Sequence, residues 1–355
     1  MRSIRMIALL CTACLVALML VPGAVGDATE YEGGEISVIN YNVAGLPDWG
    51  ALVGNSTKDV PAAQQQIGVL LNEQDYDIIA VQEDFNYHKS LANELTDFPY
   101  TTQHSGGVPI GDGMNLYSKF PLFNEVRIPW EDSFGVISNG ADEMTPKGIL
   151  YALIELAEGV YLDFYDIHAD AYDDEGSRQA RQSNFRQLAE LINANSNDRP
   201  VIVTGDFNTY AHLDAESNSN MCYYLFEIAG LKDAWTEVCN NSDYTDYGAW
   251  ESTGGSWGNW DSVEMILYKS GGGIDLEAAD FAYQVFADEN GENLSDHAAA
   301  TAKLTYTKTD TFTENAQALY TPKASFMETI WKAVKACFRD IWKILTNLDE
   351  LFEFF

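Results

Sequence analysis

Short β-branched and apolar runs recur along this chain, separated by turn residues or amphipathic segments. Such runs are typical of β-strands. The predicted strands are residues 36–43, 77–81, 114–118, 148–156, 160–167, 200–204, 263–268, 281–285 and 298–306. Longer helical patterns cover residues 61–72 and 177–194. Because many strands alternate with few helices, we predict an α+β fold with two packed mixed β-sheets flanked by helices, a four-layer α/β/β/α sandwich.

Polar side chains stand where several of these predicted strands begin or end. They are Asn42, Glu83, His168, Asp206, Asn208, Asp296 and His297. Taken singly, such a residue is more often a turn cap or a hydrogen-bonded structural histidine. Their recurrence at five strand termini favours a shared polar site built on rigid elements.

The first 26 residues have the pattern of a secretory signal peptide. Arg2 and Arg5 precede an apolar core at 6–21, and small residues follow at 24–26. The apolar core is too short for a typical membrane-spanning helix. We therefore predict a secreted, extracellular protein whose mature chain begins near Asp27.

The chain is strongly acidic, with 20 Lys and Arg residues against 54 Asp and Glu residues and a net charge of −34. Affinity for nucleic acids comes largely from basic side chains that displace counterions. Long duplex DNA is therefore a poorer match to this composition than a lipid headgroup or a small phosphodiester. A solvated, salt-adapted surface also accounts for the charge.

Six motifs stand in the order found in the endonuclease/exonuclease/phosphatase superfamily, and the sequence resembles that superfamily over about residues 36–306. The motifs are Tyr41-Asn42-Val43, Val81-Gln82-Glu83, residues 113–121, Asp166-Ile167-His168, residues 203–208 and Leu294-Ser295-Asp296-His297. The resemblance implies a metal-dependent phosphoric ester hydrolase of the deoxyribonuclease or neutral sphingomyelinase type. We assign residues 27–310 to this catalytic domain.

The resemblance also implies a metal site at the ends of the first two strands. Glu83 matches the principal metal ligand, Asn42 matches its neighbour, and Asp296 is placed to reach the same ion. A sparse set of carboxylate and amide oxygens suits Mg²⁺, with Mn²⁺ or Ca²⁺ as alternatives.

Catalytic roles follow from the same resemblance. Asp206 matches the residue that polarises the attacking water, and Asn208 would orient the phosphate or Asp206. His297 would contact the scissile phosphate, and His168 would stabilise developing charge or protonate the leaving oxygen.

One position departs from the superfamily pattern. The superfamily usually holds the final histidine with an aspartate in a preceding strand, and Glu264 occupies that place here. Asp261 is the rival candidate, so the sequence leaves open which carboxylate orients His297.

The substrate is less constrained than the chemistry. Residues 244–260 combine Tyr and Trp with glycines, a composition that suits a membrane interface, base stacking or packing onto the domain itself. We predict a phosphodiester substrate, a lipid headgroup or small molecule in the first place. The alternatives are a secreted endonuclease acting on nucleic acid and a non-catalytic binding protein on the same scaffold.

The C-terminal segment carries its own pattern. Apolar residues recur at helical spacing through residues 324–355, after a linker at 311–323. We predict an amphipathic helix that packs on protein, self-associates or attaches to a surface. Cys222 and Cys239 enclose a loop whose length suits a disulfide, and Cys337 would remain unpaired.

Overall fold

The computed structural model describes residues 33–47, 59–135, 142, 145–196, 198–247 and 262–313. The predicted signal peptide, the C-terminal helix, most of the linker, Asp261 and the tryptophans of the aromatic segment lie outside these residues. Within them, no helix is both long and apolar enough to cross a membrane.

The described chain forms twelve strands in two six-stranded sheets. The strands are β1 (Gly33–Asn42), β2 (Ile78–Gln82), β3 (Tyr100–Thr101), β4 (Asn115–Ser118), β5 (Leu122–Pro129), β6 (Gly148–Ala157), β7 (Val160–His168), β8 (Val201–Asp206), β9 (Lys232–Asp233), β10 (Glu264–Lys269), β11 (Ile274–Gln284) and β12 (Ala299–Lys308). The first sheet has the order β11-β12-β1-β2-β4-β3, and the second has the order β5-β6-β7-β8-β10-β9.

Helices connect or flank these strands. They are α1 (Val60–Asn72), α2 (His88–Ala92), α3 (Glu175–Asn195) and α4 (Ala234–Cys239), together with a π-helix at Cys222–Ile228. The N-terminus of α1 is capped by the Asp59 carboxylate, which accepts from Ala62 N at 3.1 Å. Asp174 caps α3 in the same way.

Each sheet is mixed, because β1 pairs with β2 and β7 pairs with β8 in parallel while their other neighbours are antiparallel. Parallel neighbours need a crossover connection, which α1 and α3 provide. The carboxyl ends of β1 and β2 therefore lie at one edge of the first sheet. The carboxyl ends of β7 and β8 lie together in the second.

Hydrophobic residues fill the space between the sheets and both outer faces. Val38 of β1 belongs to a cluster shared with Phe164 and Ile202 of the second sheet, whereas the adjacent Ile39 packs with residues of α1 such as Ile67. Successive strand side chains point to opposite faces, which explains this alternation. A third cluster joins the second sheet to α3. The predicted four-layer sandwich is confirmed.

Three parts of the sequence interpretation were wrong. The strand predicted at 281–285 is β11, which begins seven residues earlier, at Ile274. Strand β5 was not predicted, because a register shift between Phe123 and Val126 interrupts its alternation. The predicted disulfide is also absent: Cys222 and Cys239 are both free thiols. They pack against different hydrophobic clusters, Cys222 beside α3 and Cys239 between the sheets. Sequence spacing allowed the loop to close, but in the fold each thiol packs against a different cluster.

Candidate active site

The carboxyl ends of β1, β2, β7 and β8 meet at one edge of the sandwich. Asn40, buried between the sheets, donates its Nδ2 hydrogen to the carbonyl oxygen of Gly205 at 2.9 Å and so ties β1 to β8. Gln82 makes a second connection, since its Nε2 donates to Asp166 Oδ1 at 2.6 Å. These buried contacts fix the two sheets relative to each other directly beneath the polar residues at the strand ends.

Asn42 is the centre of the polar cluster. Its Nδ2 atom donates to Glu83 Oε1 at 3.1 Å and to Asp206 Oδ2 at 3.0 Å, so one amide bridges carboxylates from both sheets. Its Oδ1 atom accepts from Ala44 N at 3.0 Å. The amide is thus held at a fixed position between two negative groups.

Glu83 and Asn208 both adopt left-handed backbone conformations, with φ of 59° and 50°. Such conformations cost non-glycine residues roughly 1–3 kcal/mol and concentrate at functional sites. Burial raises the pKa of Glu83, although the positive charges of His297 and Lys147 oppose that effect. The carboxylate therefore has an environment in which a cation stabilises its charged form.

Asp206 lies within reach of several predicted site residues. Its Oδ2 atom is 3.4 Å from His168 Nε2 and 4.0 Å from His297 Nδ1. Its Oδ1 atom accepts from the backbone N of Asn208 at 2.9 Å. The side chain of Asn208 instead donates to the carbonyl oxygen of Ala169 at 3.1 Å. Asn208 thus holds Asp206 through its backbone.

His297 is held by the carboxylate of Glu264. The two side chains meet at 2.7 Å between Nδ1 and Oε1, and Ser262 Oγ donates to the other oxygen, Oε2, at 2.6 Å. Burial alone would lower the pKa of His297, but the nearby carboxylates of Glu264 and Asp206 outweigh it and raise that pKa well above its ordinary value. The imidazole is therefore positively charged at neutral pH.

His168 has the opposite electrostatic character. It is buried, and burial together with the positive charges of Lys147 and His297 lowers its pKa well below the ordinary value. Its carbonyl oxygen accepts from Trp130 Nε1 at 2.7 Å. Its Nδ1 atom is buried with no hydrogen-bond partner among the described residues. The site therefore combines one charged imidazole with one neutral imidazole.

Asp296 lies at the rim. Its side chain is 78% exposed, and its Oδ1 atom is 3.9 Å from His297 Nε2. It follows Ser295, which is buried and ties the last motif to the first by donating to the carbonyl oxygen of Asn42 at 2.7 Å. Its assignment as a metal ligand stays a prediction.

Sequence reasoning gave no site role to Lys147 or Ser262. Lys147 is buried and pairs with Asp142. Its positive charge acts to lower the pKa of both Glu83 and His168. A lysine immediately before a buried strand of an acidic chain was the only signal for it. Ser262 could be found only through its contact with Glu264.

The donor set fits a hard divalent cation. Glu83 Oε1 and Asp206 Oδ2 both accept from the Asn42 amide, so two carboxylates converge on one point, whereas His297 is paired with Glu264 and is not a donor. Carboxylate and amide oxygens with few nitrogen donors favour Mg²⁺ over softer ions.

Solved structures share this fold. A structure of humanized D. rerio TDP2 matches with a TM-score of 0.55 and 15% identity, covering 76% of this chain and 98% of that one. Sphingomyelinase C from Streptomyces griseocarneus matches with a TM-score of 0.52 and 18% identity, covering 76% of this chain and 99% of that one. At these identities the likeness concerns the fold alone.

Sequence relatives are closer. Proteins named sphingomyelinase from Mycobacterium bovis and Mycobacterium tuberculosis are 30% identical over 288 residues, which covers 78% of this chain and 54% of each relative. The chain thus spans about half the length of these curated relatives. The profile of the Endonuclease/Exonuclease/phosphatase family matches residues 39–316, and the chain therefore belongs to that family.

Proposed function

We propose that this protein is a metal-dependent phosphodiesterase whose catalytic centre is the cluster around Asn42. The observation that carries the proposal is the single Asn42 amide that bridges Glu83 of the first sheet and Asp206 of the second, with two imidazoles beside it. Phosphodiester hydrolysis needs a base for water and positive charge near the phosphate. Both are present in the cluster around Asn42.

The metal would be held by Glu83, with Asn42 and Asp206 beside it. When bound, Mg²⁺ supplies charge neutralisation on the phosphoryl oxygens. Binding through the oxygen of the Asn42 amide requires the amide to turn, because its nitrogen now faces the two carboxylates. Asp296, exposed at the rim, would reach the ion through water.

The protein side chains divide the remaining chemistry. Asp206 takes a proton from the attacking water, since Asn208 N fixes one of its oxygens while the other faces the histidines. His297, kept positive by Glu264, binds a non-bridging phosphate oxygen. The neutral His168 donates one N–H to the phosphate as charge develops on the leaving oxygen.

The substrate we favour is a phosphodiester lipid of the sphingomyelin class, cleaved outside the cell. Two observations support it: the relatives at 30% identity are named sphingomyelinase, and the chain carries a net charge of −34. A surface of that charge disfavours duplex DNA because phosphate backbones are repelled. The proposal that the protein is exported depends on residues 1–26, which have the pattern of a signal peptide.

Parallel hydrolysis assays test the proposal. Purified protein is incubated with sphingomyelin vesicles, plasmid DNA and bis(p-nitrophenyl) phosphate, each with Mg²⁺ or with EDTA. We expect Mg²⁺-dependent release of phosphocholine and little nicking of plasmid. Cleavage of DNA alone would reject the lipid assignment, and no cleavage of any substrate with Mg²⁺ would favour a non-catalytic binding protein.

Matched variants separate catalysis from folding. Asp206→Asn removes the proposed base, whereas Asp75→Asn changes a fully exposed aspartate that precedes β2, at the opposite end of that strand from Glu83. Asp206→Asn should lose activity and Asp75→Asn should keep it. Equal activity of the two variants would contradict the assigned site.

A further inference from the structure

A second group of potential metal ligands lies beside the proposed catalytic cluster. It contains Asp84, directly after β2, His88 at the start of α2, and His104 between β3 and β4. One ligating atom from each residue lies within 4.8 Å of the others. None of these residues takes part in the proposed hydrolysis. The group shares no side chain with the cluster of Asp206, Glu264 and His297.

Asp84 supplies the carboxylate from a fixed position. It is fully buried, and its Oδ2 atom accepts from Asn115 Nδ2 at 3.0 Å and from the Tyr117 hydroxyl at 3.3 Å. The same oxygen is 2.7 Å from His88 Nδ1. The other oxygen, Oδ1, is buried and has no hydrogen-bond partner among the described residues. A buried carboxylate oxygen without a partner is costly, and a bound cation would relieve that cost.

The two imidazoles stack face to face. The rings of His88 and His104 stack with centroids 4.0 Å apart and an interplanar angle of 6°. His104 Nε2 is 3.1 Å from the carbonyl oxygen of Asp84. Both rings are half-buried, so solvent ions can reach their edges. Two of the five histidines in the chain are thus concentrated at a single carboxylate.

We propose that Asp84, His88 and His104 form a second metal site that binds a borderline divalent cation such as Zn²⁺ or Co²⁺. Two imidazole nitrogens and one carboxylate oxygen are the donors these ions prefer, whereas Mg²⁺ prefers oxygen alone. Because imidazole lone pairs lie in the ring plane, binding by both histidines requires the stacked rings to tilt apart, and bidentate binding by Asp84 would also engage its unpartnered Oδ1. Water completes the coordination.

The site is coupled to Glu83 through the backbone. Glu83 and Asp84 are adjacent, Asp84 N donates to Gly113 O at 2.9 Å, and Phe85 N donates to Glu83 O at 2.9 Å. This short turn holds Glu83 in its left-handed conformation. A cation that joins Asp84 to α2 and to the β3–β4 segment would make the turn more rigid. Its contribution is structural support for the proposed catalytic metal ligand.

Cobalt titration tests the site without depending on hydrolysis. Co²⁺ bound by imidazole and carboxylate absorbs visible light, so the spectrum reports the ligands, and Zn²⁺ is then added as competitor. We compare the full-length protein with His88→Gln, His104→Gln and Asp206→Asn. Glutamine keeps hydrogen-bonding capacity but is a poor ligand, and Asp206→Asn removes a donor from the other cluster only.

The expected result is a saturable Co²⁺ band that Zn²⁺ displaces and that Asp206→Asn retains. Each histidine variant should weaken binding by at least about 10-fold. Zn²⁺ should also raise the Tm of the unsubstituted protein. It should leave unchanged the Tm of a variant that carries both His88→Gln and His104→Gln. Equal Co²⁺ affinity in the histidine variants, or loss of the band in Asp206→Asn, would overturn the proposal. Because no outcome depends on phosphodiester cleavage, failure here is distinguishable from failure of the proposed function.

Discussion

The Nδ1 atom of His297 lies 2.7 Å from Oε1 of Glu264, in a place where the superfamily pattern led us to expect an aspartate. The glutamate is fully buried, and it stands directly across the β8–β10 ladder from Asp206. Its additional methylene does not prevent the contact, because Ser262 holds the second carboxylate oxygen. Glu264 therefore has the geometry of the residue that orients His297.

Glu264→Gln tests this role through the pH dependence of activity. In the unsubstituted protein the carboxylate helps to raise the pKa of His297, so the imidazole stays charged as pH increases. The neutral amide removes that stabilisation. The alkaline limb of the kcat/KM profile should therefore move to lower pH. An unchanged alkaline limb would show that Glu264 does not set the charge of His297.

Ser262→Ala should have a smaller effect at the same site. It deletes the 2.6 Å hydrogen bond to Glu264 Oε2 and leaves a buried carboxylate oxygen unsatisfied, at a cost of about 1–3 kcal/mol. We expect lower kcat with little change in KM and a lower Tm. Ser262→Thr, which keeps the hydroxyl, is the matched control and should recover most of the loss.

Asp206→Asn should reduce kcat by about 10²–10⁴-fold, the usual contribution of a general base. The substitution keeps the size of the side chain and the acceptor for Asn208 N. Far-UV circular dichroism should therefore match that of the unsubstituted protein. A loss of helix and strand signal would mean that Asp206 is needed for folding, and the kinetic result would then say nothing about catalysis.

Much of the fold could be predicted from the sequence because its elements follow simple periodicities. The hairpin of β6 and β7 turns at Glu158-Gly159, between the two strands predicted at 148–156 and 160–167, and Gly159 has a φ of 73°. Helix α1 begins at Val60, close to the start of the helical pattern predicted over residues 61–72. Strand β5 was not predicted, because Asn124, with a φ of 52°, lies in the irregular stretch that interrupts the alternation of its side chains between the two faces.

The candidate site was predictable where a side chain follows a strand, and it was not where the contact depends on tertiary packing. Glu83 and Asp206 follow buried runs, so the sequence indicated both. Lys147 reaches the site from a loop, paired with Asp142, and nothing in the local pattern shows that contact. Asp296 could not be placed either, because turn residues do not alternate between faces as strand residues do.

The free state of Cys222 and Cys239 can be checked by alkylation. Both are half-buried thiols, and burial raises the pKa of Cys222 to about 11, which suppresses its thiolate at neutral pH. We expect slow iodoacetamide labelling in the folded protein and complete labelling in urea without reductant. Mass spectrometry that finds a peptide cross-linked through these two cysteines would contradict the structure.

Asp170 should make stability depend on pH in a direction unusual for a carboxylate. Burial and the nearby Asp142 raise its pKa to about 8, with Phe134 N donating to one oxygen. The folded state binds the proton of Asp170 more tightly than the unfolded chain, where the pKa is near 3.9. Protonated Asp170 therefore contributes stability that is fully present below pH 3.9 and is lost as pH rises towards 8. Asp170→Asn keeps the acceptor but cannot ionise. Urea denaturation measures the free energy of unfolding of both proteins at pH 5 and pH 8. The variant should gain more relative to the unsubstituted protein at pH 8 than at pH 5. An equal difference at both pH values would show that Asp170 is ionised in the folded protein throughout.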